Sequence, residues 1–553
     1  MLGSSRRKPR HEEEDQRARR RVWVSLRDRV SPVLWRCYCR AVRAVEVRMV
    51  RMKKVVLFLP PYSGPPMGPP VGLLSLASHL RQAGYVARII DAAVIPDYLC
   101  AVERETCDAL CFGVSLLTGP MILGAIEAAT RAKRLRPQLP VVFGGWHPSL
   151  LPEQTLRESF VDIVVRNQGE LAFLEVVRRI ESGRSINGLE GCSYKTDSHV
   201  HHNPDQPMVR LNDLPTPAFD LADFDAYERV GGGRKLPYAS SVGCPYACSY
   251  CTNAVYYKRR FNALGSQRVV EEVTSLVSRH GLTEVALLDS NFLVDTRRAM
   301  EIARGFLDSR PGFKWTFQAS TDFFCKLSDD QVRVLGRSGV THIGFGIESA
   351  SAEVLVRMNK GHQRVSDMFE TARKCMQAGI RATFNLIYGF PGETETDRRE
   401  TFEVMGAVAH RYDNVTFSPN IFTPYPGIPI WPELNRLGLK EPRCLKDWSV
   451  LSLGAIELPW LAGSAYRNVR RGMSFLMLHD IIAHACRTSS VSRLARMVLQ
   501  GLRRPVCWRL KHGRFGWPVE LWLLRVGSRP ATGRSLLTGQ PLECSPAEIC
   551  RYG

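Results

Sequence analysis

The sequence lacks long apolar segments. No window holds the roughly 20 consecutive apolar residues that a membrane-spanning helix needs, and no apolar stretch follows the basic start as it would in a cleavable signal sequence. These two absences exclude an integral membrane protein and predict a cytoplasmic one, soluble or at most peripheral to a membrane. The 16 cysteines are scattered along the chain, so in a reducing compartment we expect no disulfide framework.

Acidic residues are also scarce, because 54 Asp and Glu face 75 Lys and Arg, for a net charge of +21. Residues 1–54 alone hold 17 basic and 6 acidic side chains, which defines a basic N-terminal arm, residues 1–52. Its two most basic clusters, SRRKPR and RARRR, contain no aromatic residues for stacking on nucleic acid. We interpret the arm as a solvated tail and expect no nucleic-acid partner. Two alternatives stay open: the arm binds RNA or a membrane surface, or translation starts at Met49 or Met52.

At 553 residues the chain is too long for one hydrophobic core and is expected to form roughly three or four domains. Residues 53–185 alternate apolar strands with amphipathic helices. Continuous apolar runs such as VVLFLP and PVVFGG are typical of parallel strands buried on both faces. The alternation predicts an α/β, doubly wound, Rossmann-like domain, whose ligands bind at the carboxyl ends of its strands.

The rest of the chain divides into three further parts. Residues 186–233 are rich in polar residues, Pro and Gly, and we interpret them as a linker with one small hairpin. A second alternation over residues 234–431 has six strands, each followed by a helix or loop. It predicts a partial (β/α)6 barrel of the TIM type, with its chemistry at the carboxyl ends of the strands. Residues 432–553 have helical periodicity and are expected to form a mainly helical C-terminal domain.

The clearest chemical signal is the segment CPYACSYC, which directly follows a predicted strand. Its cysteines, Cys244, Cys248 and Cys251, have the spacing CxxxCxxC. Three thiolates hold three irons of a four-iron, four-sulfur (4Fe-4S) cluster and leave the fourth iron open to another ligand. The alternative is a structural zinc site, which usually takes four ligands in two pairs. Because no second CxxC or HxxxH motif follows nearby, we favour the cluster.

With an aromatic residue before its last cysteine, this segment resembles the signature of the radical S-adenosylmethionine (SAM) superfamily. The resemblance extends over residues 234–430 and implies a cluster that cleaves bound SAM. GFGIESAS resembles the fourth-strand motif of the family and NLIYGFPGET its fifth-strand motif. The usual GGE, which holds the SAM amino group, is absent, and LLDSNF stands in its place. The residues that the resemblance assigns to SAM are Tyr250, Asp289, Asn291, Glu348, Ser349, Ile387 and Gly389.

The N-terminal domain resembles the cobalamin-binding domain that precedes the barrel in one branch of this superfamily. SLLTGP and GGWHPSLLPEQTL match the SxL and GG elements that receive the nucleotide tail of cobalamin, and a glycine lets that tail approach the backbone. The DxHxxG element that supplies a lower axial histidine is missing, so we expect cobalamin without a histidine on cobalt. His147 is then a tail contact or an ordinary loop residue. The residues assigned to cobalamin are Ser115, Leu117, Thr118, Gly144, Gly145 and His147.

Together the cofactors imply methyl transfer to an unactivated carbon or to phosphorus, with one SAM giving the methyl group and a second giving the radical. We expect a small-molecule substrate, lipid-like or a natural-product intermediate, and an electron donor of the flavodoxin or ferredoxin type. No catalytic residue is nominated. One alternative is a cobalamin-dependent cyclase or oxidase resembling the anaerobic Mg-protoporphyrin monomethyl ester cyclase. The other is a non-enzymatic cobalamin or iron-sulfur regulatory module that contacts nucleic acid through the arm.

Overall fold

The computed structural model describes residues 53–522 apart from residues 63, 65, 67, 198, 232, 310–311, 452–456 and 488–492. The predicted basic arm, residues 1–52, and the end of the predicted C-terminal domain, residues 523–553, lie outside the described residues. Two sheets built mainly of parallel strands follow one another along the chain, and helices come after them. No helix in the described part of the chain is long and apolar enough to cross a membrane.

The first sheet has seven strands in the order β2-β1-β3-β4-β5-β6-β7. Strands β1 to β5 are parallel to one another. The strand order reverses between β1 and β3, so the carboxyl ends of these two strands form the crevice in which open α/β sheets bind ligands. The parallel strands are β1 (Lys54–Leu59), β2 (Val86–Asp91), β3 (Cys111–Ser115), β4 (Val141–Gly144) and β5 (Ile163–Val165).

Helices cover both faces of this sheet, which confirms the doubly wound fold. Val56 and Phe58 point to the face that carries α2 and α3, whereas Val55 and Leu57 point to the face that carries α1 and α6. All four side chains are fully buried, which is why β1 reads as a continuous apolar run. The helices are α1 (Val71–Gln82), α2 (Tyr98–Thr106), α3 (Met121–Leu135), α4 (Trp146–Leu150), α5 (Pro152–Leu156) and α6 (Glu170–Ser182).

Part of the segment that the sequence marks as a linker, residues 186–233, belongs to the first sheet. Strands β6 (Cys192–Thr196) and β7 (His199–His202) form the expected hairpin, and β6 pairs antiparallel with β5. Burial of Cys192 and Ser193 against the sheet explains this placement. The remainder of the segment holds two short 3-10 helices, Leu211–Asp213 and Phe219–Leu221, and helix α7 (Phe224–Gly231).

The second sheet has six parallel strands in the order β8-β11-β12-β13-β14-β15. Each strand pairs with the next in this order. Among the described strands, β8 and β15 lie at opposite edges of the sheet and do not pair with each other, so the barrel is partial, as predicted. The strands are β8 (Lys235–Tyr238), β11 (Glu284–Leu287), β12 (Lys314–Ala319), β13 (Val340–Glu348), β14 (Arg381–Tyr388) and β15 (Val415–Ile421). The helices between them are α8 (Thr252–Tyr256), α9 (Ser266–His280), α10 (Thr296–Ser309), α11 (Thr321–Cys325), α12 (Asp329–Arg337), α13 (Ala352–Arg357), α14 (Val365–Gln377) and α15 (Glu395–Arg411).

The segment YASSVG, expected as one strand, is divided in two. After β8 the chain turns into β9 (Ser241–Gly243), which pairs antiparallel with β10 (Phe261–Ala263). Gly243 ends β9 with φ +80°, and an added Cβ there would collide with the carbonyl oxygen of Arg260. Only glycine fits this turn, which delivers the chain directly into Cys244.

The helical C-terminal part joins the barrel to the first domain. It comprises α16 (Trp431–Arg436), a 3-10 helix at Leu445–Val450, α17 (Gly463–Arg487) and α18 (Arg493–Lys511). Trp448 in the 3-10 helix is fully buried. Its Nε1 donates to Oε1 of Gln154 in the first domain over 2.8 Å, and its ring meets those of His147 and Trp431 edge-on at 5.9 Å. Trp448 therefore anchors the C-terminal part to the first sheet.

We expect Trp448→Ala to lower the urea midpoint of unfolding sharply, because emptying a buried tryptophan site costs about 3–5 kcal/mol. The matched control is Trp517→Ala, since Trp517 is 89% exposed and its removal should change stability by no more than about 0.5 kcal/mol. Far-ultraviolet circular dichroism follows both transitions. Equal midpoints for the two variants would contradict the anchoring role.

Candidate functional site

The cysteine loop, residues 244–251, lies above the carboxyl ends of the barrel strands, and the turn that follows α13 holds it in place. The backbone N–H of Ser249 donates to the carbonyl oxygen of Met358 over 3.0 Å. The side-chain amide of Asn359 donates to the carbonyl oxygen of Ala247 over 2.8 Å. These contacts fix the loop without using any cysteine sulfur.

The three predicted cluster ligands lie together in this loop. Cys248 is buried and Cys244 and Cys251 are half-buried. Burial is the main cause that raises the pKa of each thiol, that of Cys251 to about 11, and neighbouring thiols contribute to the rise for Cys244 and Cys251. A thiol must lose its proton to bind metal, so this loop needs a strong positive charge close by. An iron cluster supplies it, and the donor set of three thiols fits one.

A zinc ion would need a tighter arrangement of donors. Among residues 53–522, where the structure describes them, no three His, Cys, Asp or Glu side chains converge so that they would hold a single metal ion. The three thiols of the loop are therefore not arranged as ligands of one ion, and a structural zinc site wants four. The geometry favours the cluster over the zinc alternative.

Two of the predicted SAM residues, Tyr250 and Glu348, meet each other beneath the loop. The Tyr250 hydroxyl donates to Oε1 of Glu348 over 3.0 Å. Glu348 ends β13 with φ +63°, after a bulge that shifts its pairing with β14. This backbone conformation turns the Glu348 carboxylate toward the loop. A non-glycine residue at positive φ costs about 1–3 kcal/mol.

A third member of this group, Lys360, was missed by the sequence reasoning. Its ammonium lies 2.9 Å from Oε1 of Glu348 and donates to the carbonyl oxygen of Gly346 over 2.6 Å. The Lys360 and Glu348 side chains are only 7% and 9% exposed. The ammonium also lowers the pKa of Cys244 and Cys248, against the larger effect of burial. The available signal was a turn-forming Asn-Lys-Gly shortly after the GFGIES strand.

The remaining predicted SAM residues on the strands are held by protein contacts. Asp289 is fully enclosed and accepts from the backbone N–H of Ser240 over 2.9 Å and from its hydroxyl over 2.7 Å. The Asn291 amide donates to the Ser320 hydroxyl over 3.0 Å. Ser349 lies 3.1 Å from the hydroxyl of Thr401 on α15 and has no exposed surface. These three side chains tie neighbouring elements together, and the structure does not bring them to the open part of the site.

The predicted pair Ile387 and Gly389 lies at the carboxyl end of β14. Gly389 has φ +78°, and an added Cβ would lie 2.7 Å from a methyl group of Leu461. Its N–H donates to Oε2 of Glu393 over 2.5 Å, and its carbonyl oxygen accepts from Trp460 over 2.9 Å. Burial raises the pKa of Glu393 to about 7. The C-terminal part therefore packs tightly against this turn.

The second half of the site is a cavity of about 400 Å³ between the two sheets. Ser115, Gly144 and Gly145 line it from the carboxyl ends of β3 and β4. Gly145 has φ +91°, and an added Cβ would lie 2.8 Å from the carbonyl oxygen of Leu116. An added Cβ on Gly144 would instead meet nothing closer than 3.5 Å. The two glycines form an open backbone cradle, which fits the expected tail of cobalamin.

The other predicted cobalamin residues do not line this cavity. Leu117 is 49% exposed. Nδ1 of His147 lies 2.9 Å from the Thr118 hydroxyl, and its ring is buried against Trp448. Burial lowers the pKa of His147 to about 4. The structure thus places His147 on the far side of the GG turn, within the interface to the C-terminal part.

Aromatic residues that the sequence reasoning did not select close the cavity between the domains. The Trp146 and Tyr256 rings stack with centroids 4.3 Å apart, and Tyr257 meets Trp146 edge-on. All three line the cavity. The Tyr256 hydroxyl donates to the carbonyl oxygen of Asn167 in the first domain over 2.6 Å. The available signals were an aromatic residue directly after the GG pair and a Tyr-Tyr pair just after the cysteine motif.

Comparison with known proteins covers both halves of this site. Residues 238–405 match the family model of the radical SAM superfamily, and residues 65–177 match that of the B12 binding domain. An uncharacterized methyltransferase of Pyrococcus horikoshii is 31% identical over 399 residues, which span 69% of this chain and 83% of that protein. The anaerobic magnesium-protoporphyrin IX monomethyl ester cyclase of Rubrivivax gelatinosus is 25% identical over 381 residues, 66% of either protein.

A solved structure shares the arrangement of domains. The radical S-adenosylmethionine methyltransferase TsrM from Kitasatospora setae, with tryptophan substrate and a SAM analogue bound, aligns with a TM-score of 0.61 and 21% identity. The alignment covers 70% of this chain and 76% of that one. This likeness shows the fold, in which a B12 binding domain precedes a radical SAM domain.

We expect the two glycines of the cradle to differ when each is changed to alanine: one change should lower stability and the other should weaken cobalamin binding. Gly145→Ala should destabilise the protein by about 1–3 kcal/mol because its backbone lies at positive φ. Gly144→Ala should keep its stability within about 0.5 kcal/mol but weaken hydroxocobalamin binding about tenfold, equivalent to about 1.4 kcal/mol, because its methyl group enters the cavity. Thermal unfolding and titration of the cobalamin absorbance measure both effects. Unchanged binding by Gly144→Ala would contradict the cradle.

The buried carboxyl of Glu393 predicts a pH dependence of stability. Between its ordinary pKa of 4.5 and about 7, the folded protein binds more protons at this site than the unfolded chain, so stability falls as pH rises through 7. In Glu393→Gln the amide oxygen still accepts from Gly389, but nothing titrates. We expect the melting temperature of the wild type to decline more steeply from pH 5 to pH 8 than that of the variant. Parallel curves would refute the assignment.

Proposed function

The chain belongs to the radical SAM superfamily and is a cobalamin-dependent radical SAM methyltransferase; on that premise we propose that it methylates an unactivated carbon, or a phosphorus, of a small-molecule substrate. One observation carries the proposal. A single cavity is lined both by Ser115 and Gly144 at the end of the first sheet and by Tyr238 and Ser290 at the end of the barrel. The cobalamin cradle of the first sheet and the carboxyl ends of β8 and β11 therefore share one cavity.

The cofactors are a 4Fe-4S cluster, SAM and cobalamin, and the chain offers a site for each. Cys244, Cys248 and Cys251 would hold the cluster, and the Gly144–Gly145 cradle would receive cobalamin. SAM would lie between them, over the carboxyl ends of β13 and β14. When bound, the cluster with SAM supplies hydrogen-atom abstraction and cobalamin supplies the methyl group.

The protein's own residues prepare the site for this chemistry. The buried ammonium of Lys360 offsets the negative charge of the thiolates, since opposite charges stabilise each other strongly where water is excluded. The stacked rings of Trp146 and Tyr256 form one wall of the cavity, and such a wall limits the access of water to reactive species. The cavity volume of about 400 Å³ supports a small-molecule substrate.

Two other functions were considered. The cyclase alternative is supported by the relative from Rubrivivax gelatinosus, which is more distant at 25% identity than the methyltransferase at 31%. The non-enzymatic module is not retained, because the chain belongs to a family of enzymes. The products formed from SAM distinguish methylation from cyclisation.

The test is anaerobic reconstitution with iron, sulfide and cobalamin, followed by incubation with SAM that carries a deuterated methyl group and with candidate substrates. Methylation yields 5′-deoxyadenosine and S-adenosylhomocysteine in comparable amounts and moves the label into the product. Cyclisation yields 5′-deoxyadenosine without S-adenosylhomocysteine and would refute the proposal. Mass spectrometry of the quenched reaction measures all three.

Two cysteine variants control this experiment. Cys248→Ala should abolish 5′-deoxyadenosine formation and the cluster absorbance together. Cys325→Ser should keep both, because Cys325 lies outside the loop and its sulfur contacts the Thr371 hydroxyl at 3.5 Å. Cluster absorbance that survives in Cys248→Ala would contradict the ligand assignment.

A further inference from the structure

Helix α18 has one face packed against the protein and another open to solvent. Its packed face carries the buried side chains of Leu499, Val506 and Leu510. The packing against α15 is close, because an added Cβ on Gly406 of α15 would collide with the backbone of Leu510 and Lys511. The contact fixes the position of α18, and with it the direction in which the open face points.

The open face of α18 mixes apolar and basic side chains. Met497, Arg504, Trp508 and Lys511 are all exposed. They follow one another at intervals of seven, four and three residues, which places them along one side of the helix. Apolar side chains at such spacing normally pack into a core, but here Met497 is 63% exposed and Trp508 is 50% exposed.

The loop after α18 extends this face. Arg509 pairs with Glu520 at 2.7 Å, and its guanidinium donates to the carbonyl oxygens of Gly516 and Trp517 over 2.7 and 2.9 Å. These bonds hold the loop to the helix while the Trp517 side chain stays in solvent. Trp508 and Trp517 line the same surface hollow, of about 580 Å³. We define the tryptophan face as Met497, Arg504, Trp508, Lys511, Arg514 and Trp517.

The positive charges of the tryptophan face are not neutralised. Residues 493–519 contain seven Lys and Arg and no Asp or Glu. Arg504, Lys511 and Arg514 have no carboxylate within 4.0 Å in the part of the chain that the structure describes. Glu520, the first carboxylate after this stretch, is buried and already engaged in its ion pair.

The neighbouring helix α15 does not reverse this charge. Its acidic side chain in the hollow, Glu395, is accompanied there by Arg398 and Arg399. The tryptophan face is therefore a surface on which exposed apolar groups and uncompensated positive charge occur together.

We propose that the tryptophan face binds the surface of membranes that contain anionic phospholipids. The proposal goes beyond the proposed function and does not depend on it. The tryptophan rings enter the headgroup region, where a ring with an apolar body and a polar N–H is stable. Arginine and lysine side chains contact the lipid phosphates. Helix α18 then lies along the membrane surface and does not cross it.

The composition of the face favours a membrane over RNA as the anionic partner. RNA supplies phosphates and bases that stack on aromatic rings, but it offers no acyl chains to Met497 or to the exposed Val498 and Val519 nearby. A bilayer supplies anionic headgroups and acyl chains together. Tryptophans concentrated at one level are typical of a membrane–water interface, and three exposed tryptophans of the described residues lie in this region: Trp508, Trp517 and Trp522.

The test is co-sedimentation of the reconstituted full-length protein with vesicles. One set of vesicles is phosphatidylcholine alone, and the other contains about one third phosphatidylglycerol, an anionic lipid that attracts basic side chains. Trp508→Ala with Trp517→Ala removes both rings of the hollow. Arg504→Gln, Lys511→Gln and Arg514→Gln together remove three charges. Circular dichroism verifies that each variant is folded, and Trp517→Ala alone serves as a second variant because its side chain is almost fully exposed.

Each variant has a matched control at exposed positions outside the face. Leu123→Ala with Leu135→Ala removes two exposed apolar side chains of α3. Arg88→Gln, Arg134→Gln and Arg337→Gln remove three exposed charges that likewise have no carboxylate within 4.0 Å among the described residues. These controls should bind both kinds of vesicle as the wild type does.

We expect the wild type to bind the anionic vesicles about tenfold more tightly than the neutral ones, and salt to weaken this binding. The charge variant should lose the preference for anionic vesicles. The double tryptophan variant should bind both kinds about tenfold more weakly, and Trp517→Ala should be intermediate. Brominated phosphatidylcholine quenches tryptophans that enter a bilayer, so quenching should also be smaller in Trp517→Ala than in the wild type.

Two results with vesicles would overturn the proposal. One is a wild type that binds neither kind of vesicle, as expected if another part of the chain covers the face. The other is equal binding by the wild type and by both variants of the face. The basic arm, residues 1–52, is present in every variant, so binding through the arm alone gives this second result.

Two other partners of the face give different outcomes. If a second copy of the chain covers it, sedimentation velocity without lipid shows a dimer that the double tryptophan variant abolishes. If the partner is nucleic acid, a short RNA binds more tightly than anionic vesicles and depends on the same residues. Either outcome would assign the face to another partner and refute membrane binding.

Discussion

The functional half of this molecule depends on one buried ammonium, that of Lys360. A charge taken out of water costs several kcal/mol unless its surroundings compensate it, and here the carboxylate of Glu348, the carbonyl oxygen of Gly346 and the Tyr250 hydroxyl do so together. The compensation links the end of β13, the cysteine loop and the turn after α13. Removing any one of these partners leaves the others with an unpaired charge or donor.

A second constraint is that the carboxyl ends of the strands in the first sheet must face the carboxyl ends of the strands in the barrel. The connection from the first sheet to the barrel holds only short elements, so the docking is specified by side chains and not by the covalent linkage. Trp146 stacked on Tyr256 closes one side of the joint, and Trp448 bonded to Gln154 closes another through the C-terminal part. The cavity is the space that these contacts leave between the carboxyl ends of the strands.

The sequence predicts the fold well because buried parallel strands leave continuous apolar runs, and the cysteine spacing predicts which loop would hold the cluster. Prediction from the sequence fails where the role of a residue depends on the direction in which its side chain points in the folded protein. Asp289 and His147 are of the right type in the right segment, yet one is enclosed by Ser240 and the other by Thr118 and Trp448. Lys360 and Trp146 were missed because no spacing marks them; their importance arises only when distant segments meet. The placement of β6 in the first sheet likewise depends on an edge that only the folded sheet provides.

The open edge of the barrel has a consequence for how the two modules are inherited and recombined. Gly68, in the loop after β1, has φ +124°, and an added Cβ would lie 2.7 Å from the ring of Pro237 on β8. The first domain therefore packs against β8, one of the two edge strands of the partial barrel. A chimera that pairs this barrel with a foreign cobalamin domain must reproduce that glycine-tight contact. The two modules are therefore transferable as a matched pair and poorly interchangeable as separate parts.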